Sequence, residues 1–248
     1  MPNTMLVAAD YSQLELRVSA YMSRDPLMID ILQQGRDMHV VTAAAIYNVA
    51  ESAVTPQMRQ TAKTVNYLTS YGGAANKMIE GIEKLVLEHP ELGLEIPSRP
   101  EAQAALNTHR RLYKQYWQWV SWTIQRARIN KYSETAFGRP RYNDLIDSPR
   151  DDDRTEAERA LVNHCIQGTA ADLMKMAMVN ISTDVLMQSW GDMLLQVHDE
   201  IVSVVASDHV MCYNNRIRQH MELKQPFAPW VELVVDVTSG QDWKQCHK

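Results

Sequence analysis

Apolar and polar positions divide this chain into a few β-prone runs near its ends and longer helix-like stretches between them. Met5-Leu6-Val7-Ala8-Ala9 reads as a strand, followed by a polar stretch. Helices are predicted over about Pro26–Gln34, Met38–Tyr47 and Gln57–Tyr71, the last with Pro56 at its first turn and Gly72-Gly73 beyond its end. Lys77–Leu87 is also helical in pattern, and His89–Pro100, with its three prolines, reads as a loop. A long helix is expected from about Glu101 to Asn130. Its recurring Leu112, Tyr116, Trp119, Val120 and Thr123 mark a core or interface stripe, with a base-stacking platform as the alternative. The five acids between Asp144 and Asp153 read as a solvated loop, and Glu156–Leu186 as another helix. Met193–Val197 and Glu200–Val205 flank the pair His198-Asp199 as a hairpin, and Val231–Val237 is the last strand. Strands at the ends and helices between them give an α+β fold without the alternation of a doubly wound sheet.

The 248 residues and ordinary apolar content suit one large domain or two small ones with a proper core. A net charge of −5 argues against a chain that grips nucleic acid over its whole surface, but leaves room for a local basic track. Cys165, Cys212 and Cys246 are scattered and lack metal-site spacing, which fits a reducing compartment. Nothing resembles a membrane span or signal peptide, so a soluble cytoplasmic protein is expected.

Two chemical patterns stand out. Asp10 ends the first strand and Asp199 sits in the hairpin turn. Antiparallel neighbours could bring both carboxylates together, where a hard cation such as magnesium would offset their repulsion; Glu200 is a weaker third ligand. The second pattern is a helix face. At 100° per residue, Arg59, Lys63, Tyr67 and Tyr71 fall at about 0°, 40°, 80° and 120°, with Asn66 and Ser70 in or beside that arc. Two cations followed by two rings suit a nucleoside triphosphate, although a solvated helix face would look similar. Arg159, Asn163 and Gln167 recur at fours ahead of Gly168-Thr169-Ala170-Ala171 and could read a duplex minor groove.

These runs resemble the C-terminal part of family A DNA polymerases. Asp10-Tyr11-Ser12-Gln13-Leu14-Glu15-Leu16-Arg17 is similar to motif A, Arg59–Gly72 to motif B, and Gln196-Val197-His198-Asp199-Glu200 to motif C. Gly35–His39, Arg159–Asp172 and Ser239–Trp243 agree with further segments of that family, in family order. The resemblance implies an antiparallel palm sheet carrying the motif C hairpin, plus helical fingers. Residues 1–35 and 136–248 would be palm and 36–135 fingers. It implies template-directed transfer of nucleotides from dNTPs to a primer 3′-hydroxyl with two Mg2+ ions, for which Mn2+ could substitute. Asp10, Asp199 and the carbonyl of Tyr11 would hold metal, with Glu200 nearby. His39, Arg59 and Lys63 would grip the triphosphate, with Lys63 also a proton donor to the leaving pyrophosphate. Gln13 and Tyr67 would border the incoming nucleotide, and Glu15, packed with Tyr71, would block a ribose 2′-hydroxyl. Arg17, Arg159, Asn163, Gln167 and His198 would contact primer and template.

Leu68 departs from the glycine common at that place, and Leu87–Pro100 looks like an added fingers loop. The thumb and upstream palm of the family have no counterpart in this sequence. The expectation is therefore a split, phage-like enzyme whose second polypeptide supplies thumb and upstream palm, with an exonuclease as an optional part. A truncated chain, and a non-catalytic remnant acting as an assembly module, are the competing readings. Glu15 speaks against a single-subunit RNA polymerase.

Overall fold

A computed structural model describes residues 3–70, 75–224, 226–227 and 229–247. Its strands are β1 (Thr4–Tyr11), β2 (Tyr132–Glu134), β3 (Pro140–Tyr142), β4 (Gly191–Val197), β5 (Glu200–Ala206) and β6 (Val235–Gly240). Its α-helices are α1 (Leu14–Ser23), α2 (Pro26–Gln33), α3 (Met38–Tyr47), α4 (Pro56–Ser70), α5 (Ala75–Glu88), α6 (Arg99–Leu112), α7 (Lys114–Asn130), α8 (Asp151–Asn163), α9 (Thr169–Thr183), α10 (Val185–Trp190), α11 (Val210–Met221) and α12 (Trp243–Cys246). A π-helical turn, His164–Gly168, separates α8 from α9. The fold is α+β. The chain forms two compact units: one from residues 1–18 and 167–248, the other from 19–166.

The first unit is built on an antiparallel sheet ordered β4-β5-β1-β6. β1 lies inside the sheet, so Val7, Ala8 and Ala9 are buried in succession instead of alternating with polar residues. On one face, the Tyr11 hydroxyl donates to the carbonyl of Met221 at the end of α11 (2.7 Å), and Tyr213 pairs with Ser203 (2.8 Å). On the other, Ala8 and Val202 pack with Cys246 of α12. Gly191 opens β4 at a close approach, where an added Cβ would lie 2.2 Å from the carbonyl oxygen of Val204.

The second unit is mainly helical. Val65 of α4, Met78 and Ile82 of α5 and Ala102, Ala105 and Leu106 of α6 share one core. Ala127, Ile146, Ala157 and Leu161 form a second.

Several expected elements change. Glu101–Asn130 is two helices, broken at Tyr113, which leaves the helical backbone region. Asp25 explains the break: its Oδ2 accepts from the backbone amides of Gln115 (3.0 Å) and Tyr116 (3.1 Å), capping a new helix start. Oδ1 of the same carboxylate caps α2 through Leu27 and Met28. The stretch Glu156–Leu186 is likewise three pieces, because the π turn interrupts it and Asp184 caps α10. Asp151, Asp152 and Asp153 sit in the first turn of α8, where negative charge suits the helix dipole, and not in a loop. The last strand begins at Val235 and runs on through Thr238-Ser239-Gly240. Pairing with β1, and not local propensity, sets its limits.

α1 lay hidden because Leu14, Leu16, Val18 and Ala20 alternate like a strand. The polar residues between them, Arg17 and Ser19, are buried too, so the sequence shows no polar helix face. The β2–β3 hairpin, α11 and α12 were also missed in the sequence.

Candidate active site

The candidate residues fall into two clusters, one in each unit. In the first unit, Asp10 ends β1 directly opposite Glu200 of β5 and, on its other side, opposite Asp236 of β6. Directly opposed residues share a face of an antiparallel sheet, so three carboxylates form a row. Asp199 joins them through the backbone: the Tyr11 amide donates to the Asp199 carbonyl at 3.1 Å. His198, beside it in the hairpin turn, has φ 54°, in the left-handed region. A cavity of about 310 Å³ is bordered by Asp10, His198, Asp199, Glu200, Asp236 and His247.

The electrostatics of this row fit a cation. Burial, then the charges of Asp199, Glu200 and Asp236, push the Asp10 carboxyl up to about 6. Among the described residues, no three His, Cys, Asp or Glu side chains converge as a preformed metal cage. Magnesium does not need one, since it takes one or two carboxylates and completes its shell with water and substrate phosphates. An oxygen-only set of Asp10, Asp199 and the Tyr11 carbonyl has suitable chemistry. Glu200 is buried, and His247 donates to its Oε1 from Nε2 at 2.8 Å. The His247 ring stacks on Trp243 with centroids 4.4 Å apart. Its pKa is raised by the hydrogen bond to the Trp243 carbonyl and by Glu200. Asp236 and His247 were not singled out in the sequence. The partner strands that bring them beside Asp10 are remote in the chain, and only the register exposes them.

Around this row, Gln13 has φ 54° and its carbonyl accepts from the amides of Leu16 and Arg17. Gln167 donates to Glu15 at 3.3 Å, which pairs two of the predicted site residues. Arg17 differs from expectation. It is 8% exposed, and its guanidinium donates to the carbonyls of Ser12 (2.7 Å) and Glu232 (2.6 Å). It braces the loop after β1 and does not present a surface to nucleic acid.

The second cluster lies where α3 meets α4. Arg59, Lys63 and Tyr67 are half-buried along one side of α4, while Ala62, Val65 and Thr69 face the interior. Tyr71 lies outside the described residues. Arg59 Nε donates to Asp37 Oδ2 at 2.7 Å, and Asp37 Oδ1 caps α3 through the amides of His39 and Val40. Burial alone would raise the Asp37 carboxyl, but the Arg59 hydrogen bond and the His39 amide bring it below its usual range.

Asn66 is buried, not on the open arc where the helical projection put it. Its Nδ2 donates to His39 Nδ1 (2.9 Å) and its Oδ1 accepts from the Thr42 hydroxyl (3.0 Å). With Nδ1 accepting, the neutral His39 ring carries its proton on Nε2. Burial, aided by the charges of Arg59 and Lys63, pushes His39 down to about 4, so it is neutral at pH 7. Arg159 and Asn163 are half-buried on α8, and Gln167 is exposed in the π turn. Their four-residue spacing is therefore not carried by one uninterrupted α-helix.

An acid-bearing antiparallel hairpin sheet and a helical unit with a cationic and aromatic helix side are features of nucleic-acid polymerase domains. Among solved structures, the chain matches the POL domain of Pol1 from M. smegmatis, described in complex with DNA primer-template and dNTP. The TM-score is 0.86 at 30% identity, over 98% of this chain and 41% of that one. It is 38% identical over 239 residues to the thermostable DNA polymerase I of Thermus aquaticus, covering 96% of this chain and 27% of that relative. It is 35% identical over 244 residues to DNA polymerase I of Deinococcus radiodurans, covering 96% and 23%. The model of DNA polymerase family A matches residues 1–245, and the chain belongs to that family. It spans about a quarter of the length of these curated relatives.

Proposed function

We propose that this chain carries the nucleotidyl-transfer centre of a DNA-directed DNA polymerase, adding dNTPs to a primer 3′-hydroxyl under the direction of a template. The observation that carries the reading is the carboxylate row of Asp10, Glu200 and Asp236, joined by Asp199, within a chain of this family. Asp10, Asp199 and the Tyr11 carbonyl are the proposed holders of Mg2+, or of Mn2+ in its place. Such ions would supply activation of the attacking hydroxyl and charge neutralisation at the leaving oxygen.

The chain's own residues supply positioning and charge. Arg59, oriented by Asp37, and Lys63 are the proposed partners of the triphosphate, with Lys63 giving a proton to the leaving pyrophosphate. His39 donates from Nε2 to a phosphate oxygen as a neutral group, consistent with its lowered pKa. Gln13, Tyr67 and Tyr71 border the nucleotide. Glu15, held by Gln167, excludes a 2′-hydroxyl. Arg159, Asn163, Gln167 and His198 are proposed to touch primer and template, and Arg17 is left as a brace. Residues 1–35 and 136–248 are assigned to the palm and 36–135 to the fingers.

A second polypeptide bearing thumb and upstream palm belongs to the same proposal. β4, at the edge of the described sheet, leaves Leu194, Leu195 and Val197 exposed, an apolar strip suited to cover by another segment.

The test is single-nucleotide addition to a primer-template by concentrated protein with Mg2+. The template base should select the dNTP, and Glu15→Ala should admit ribonucleotides that the wild type rejects. Addition that ignores the template base would sink the reading.

A further inference from the structure

We propose that the exposed side of α7 is a binding track for single-stranded DNA, separate from the residues assigned above. The choice of DNA as the strand rests on the polymerase reading; the track itself rests on charge and geometry. From Arg110 to Lys131 the sequence holds six cations (Arg110, Arg111, Lys114, Arg126, Arg128 and Lys131) and no acid, in a chain of net charge −5. Arg128 and Lys131 are paired with Glu158 and Asp147. The other four make no ion pair among the described residues, and all four are exposed. Half of the chain's six tryptophans, Trp117, Trp119 and Trp122, lie in this same helix.

The helix separates two roles. Tyr116, Val120, Thr123 and Ala127 are buried on one side. Lys114, Gln118, Trp122, Gln125 and Arg126 are exposed on the other, within an arc of roughly 120°. At both ends of the track a guanidinium lies over an indole: Arg110 over Trp117 at 4.9 Å and Arg126 over Trp122 at 4.7 Å. Trp122 is 52% exposed, which is a large apolar area to leave in water. Ring and guanidinium planes next to unpaired cations are the combination that stacks unpaired bases and meets their phosphates. A paired duplex offers no free base face to such rings.

A cavity beside the track strengthens the assignment. It measures about 270 Å³ and is bordered by Trp119, Trp122, Thr123, Arg126 and Tyr132, among others. Thr123 is 6% exposed, and its hydroxyl has no hydrogen-bond partner among the described residues. A buried hydroxyl is normally satisfied, and this one is closed off from solvent, so it adds a polar atom to the wall of the cavity and not a contact for a base.

The test measures binding of fluorescein-labelled dT12 to the full chain by anisotropy, in EDTA and without dNTP. Under these conditions the result does not depend on catalysis, and failure of the polymerase reading would show only in nucleotide addition. Trp122→Ala and the charge reversal Arg126→Glu are surface changes expected to leave the melting temperature unchanged. Each should weaken dT12 binding about tenfold, in line with the loss of one stacked base. Lys114→Glu should also lessen the salt dependence of binding. Binding to a blunt 12-base-pair duplex should change less than twofold. No wild-type binding of dT12, unchanged binding in all three variants, or equal losses on dT12 and duplex would overturn the proposal.

Discussion

Asp10 stands directly across the β1–β5 ladder from Glu200, so two acids share one sheet face, and the charge of His247 offsets them in part. The sign of the consequence follows from the Asp10 carboxyl, raised from 3.8 to about 6. The folded protein holds that proton more tightly than the unfolded chain, so metal-free stability falls as pH rises from about 4 to 6. Asp10→Asn should therefore raise the metal-free melting temperature at pH 7.5, by about 2–4 °C once partial exposure is allowed for. Mg2+ should raise it in the wild type and much less in the variant. Calorimetry with and without EDTA checks both; a variant that melts lower, or keeps the full Mg2+ shift, contradicts the charge argument.

Asn66 links His39 to Thr42, and Thr42 lies 2.9 Å from the buried Tyr113 hydroxyl. Asn66→Leu would leave His39 Nδ1 without its donor, while Thr42 keeps Met38 and Tyr113 as partners, at a cost of about 1–3 kcal/mol. Because the His39 tautomer would no longer be fixed, KM for dNTP should rise several-fold with kcat less affected. Nitrogen NMR of the imidazole should show Nε2–H in the wild type and a mixture in the variant. An unchanged tautomer in the variant would show that Asn66 does not set it.

Asp184 ties α10 to α11. It caps α10 and accepts hydrogen bonds from Arg216 and from His220. Burial alone would raise its carboxyl, but these hydrogen bonds hold it well below the ordinary range. The clamp thus contributes stability above the unfolded carboxylate pKa near 3.8, and that contribution is lost as pH falls below it. Asp184→Ala should cost about 1 kcal/mol from the cap alone at pH 7, and less at pH 3. Denaturant titrations at the two pH values measure the difference; equal losses at both would argue against the clamp.

Gly191→Ala would force a Cβ against the backbone of Val204 and Val205, at 2.2 Å and 2.8 Å. Backbone cannot swing aside as a side chain can, so a loss of about 1–3 kcal/mol is expected. A thermal melt within 1 °C of the wild type would show that β4 shifts freely.

The sequence revealed those parts of the fold whose signals are local. The hairpin around His198-Asp199 and the helix Met38–Tyr47 needed only β-prone runs, turn residues and helical spacing. It also singled out Asp10, Asp199, Arg59 and Lys63 as candidates, because motif runs flank each of them. The rest depended on distant partners. Asp25 breaks the helix at Tyr113 from some ninety residues away, and Asp236 reaches Asp10 only through the β1–β6 register. α1 is buried nearly all round, which erased the amphipathic signal by which helices are recognised.

The most direct test of the account is the rate of single-nucleotide addition to a primer-template with Mg2+ by the wild type, Asp10→Ala and Asp199→Ala, at matched DNA occupancy. The account predicts template-directed addition by the wild type and a loss of about a thousandfold in each variant, with DNA binding retained. Addition by either variant within tenfold of the wild type would contradict it.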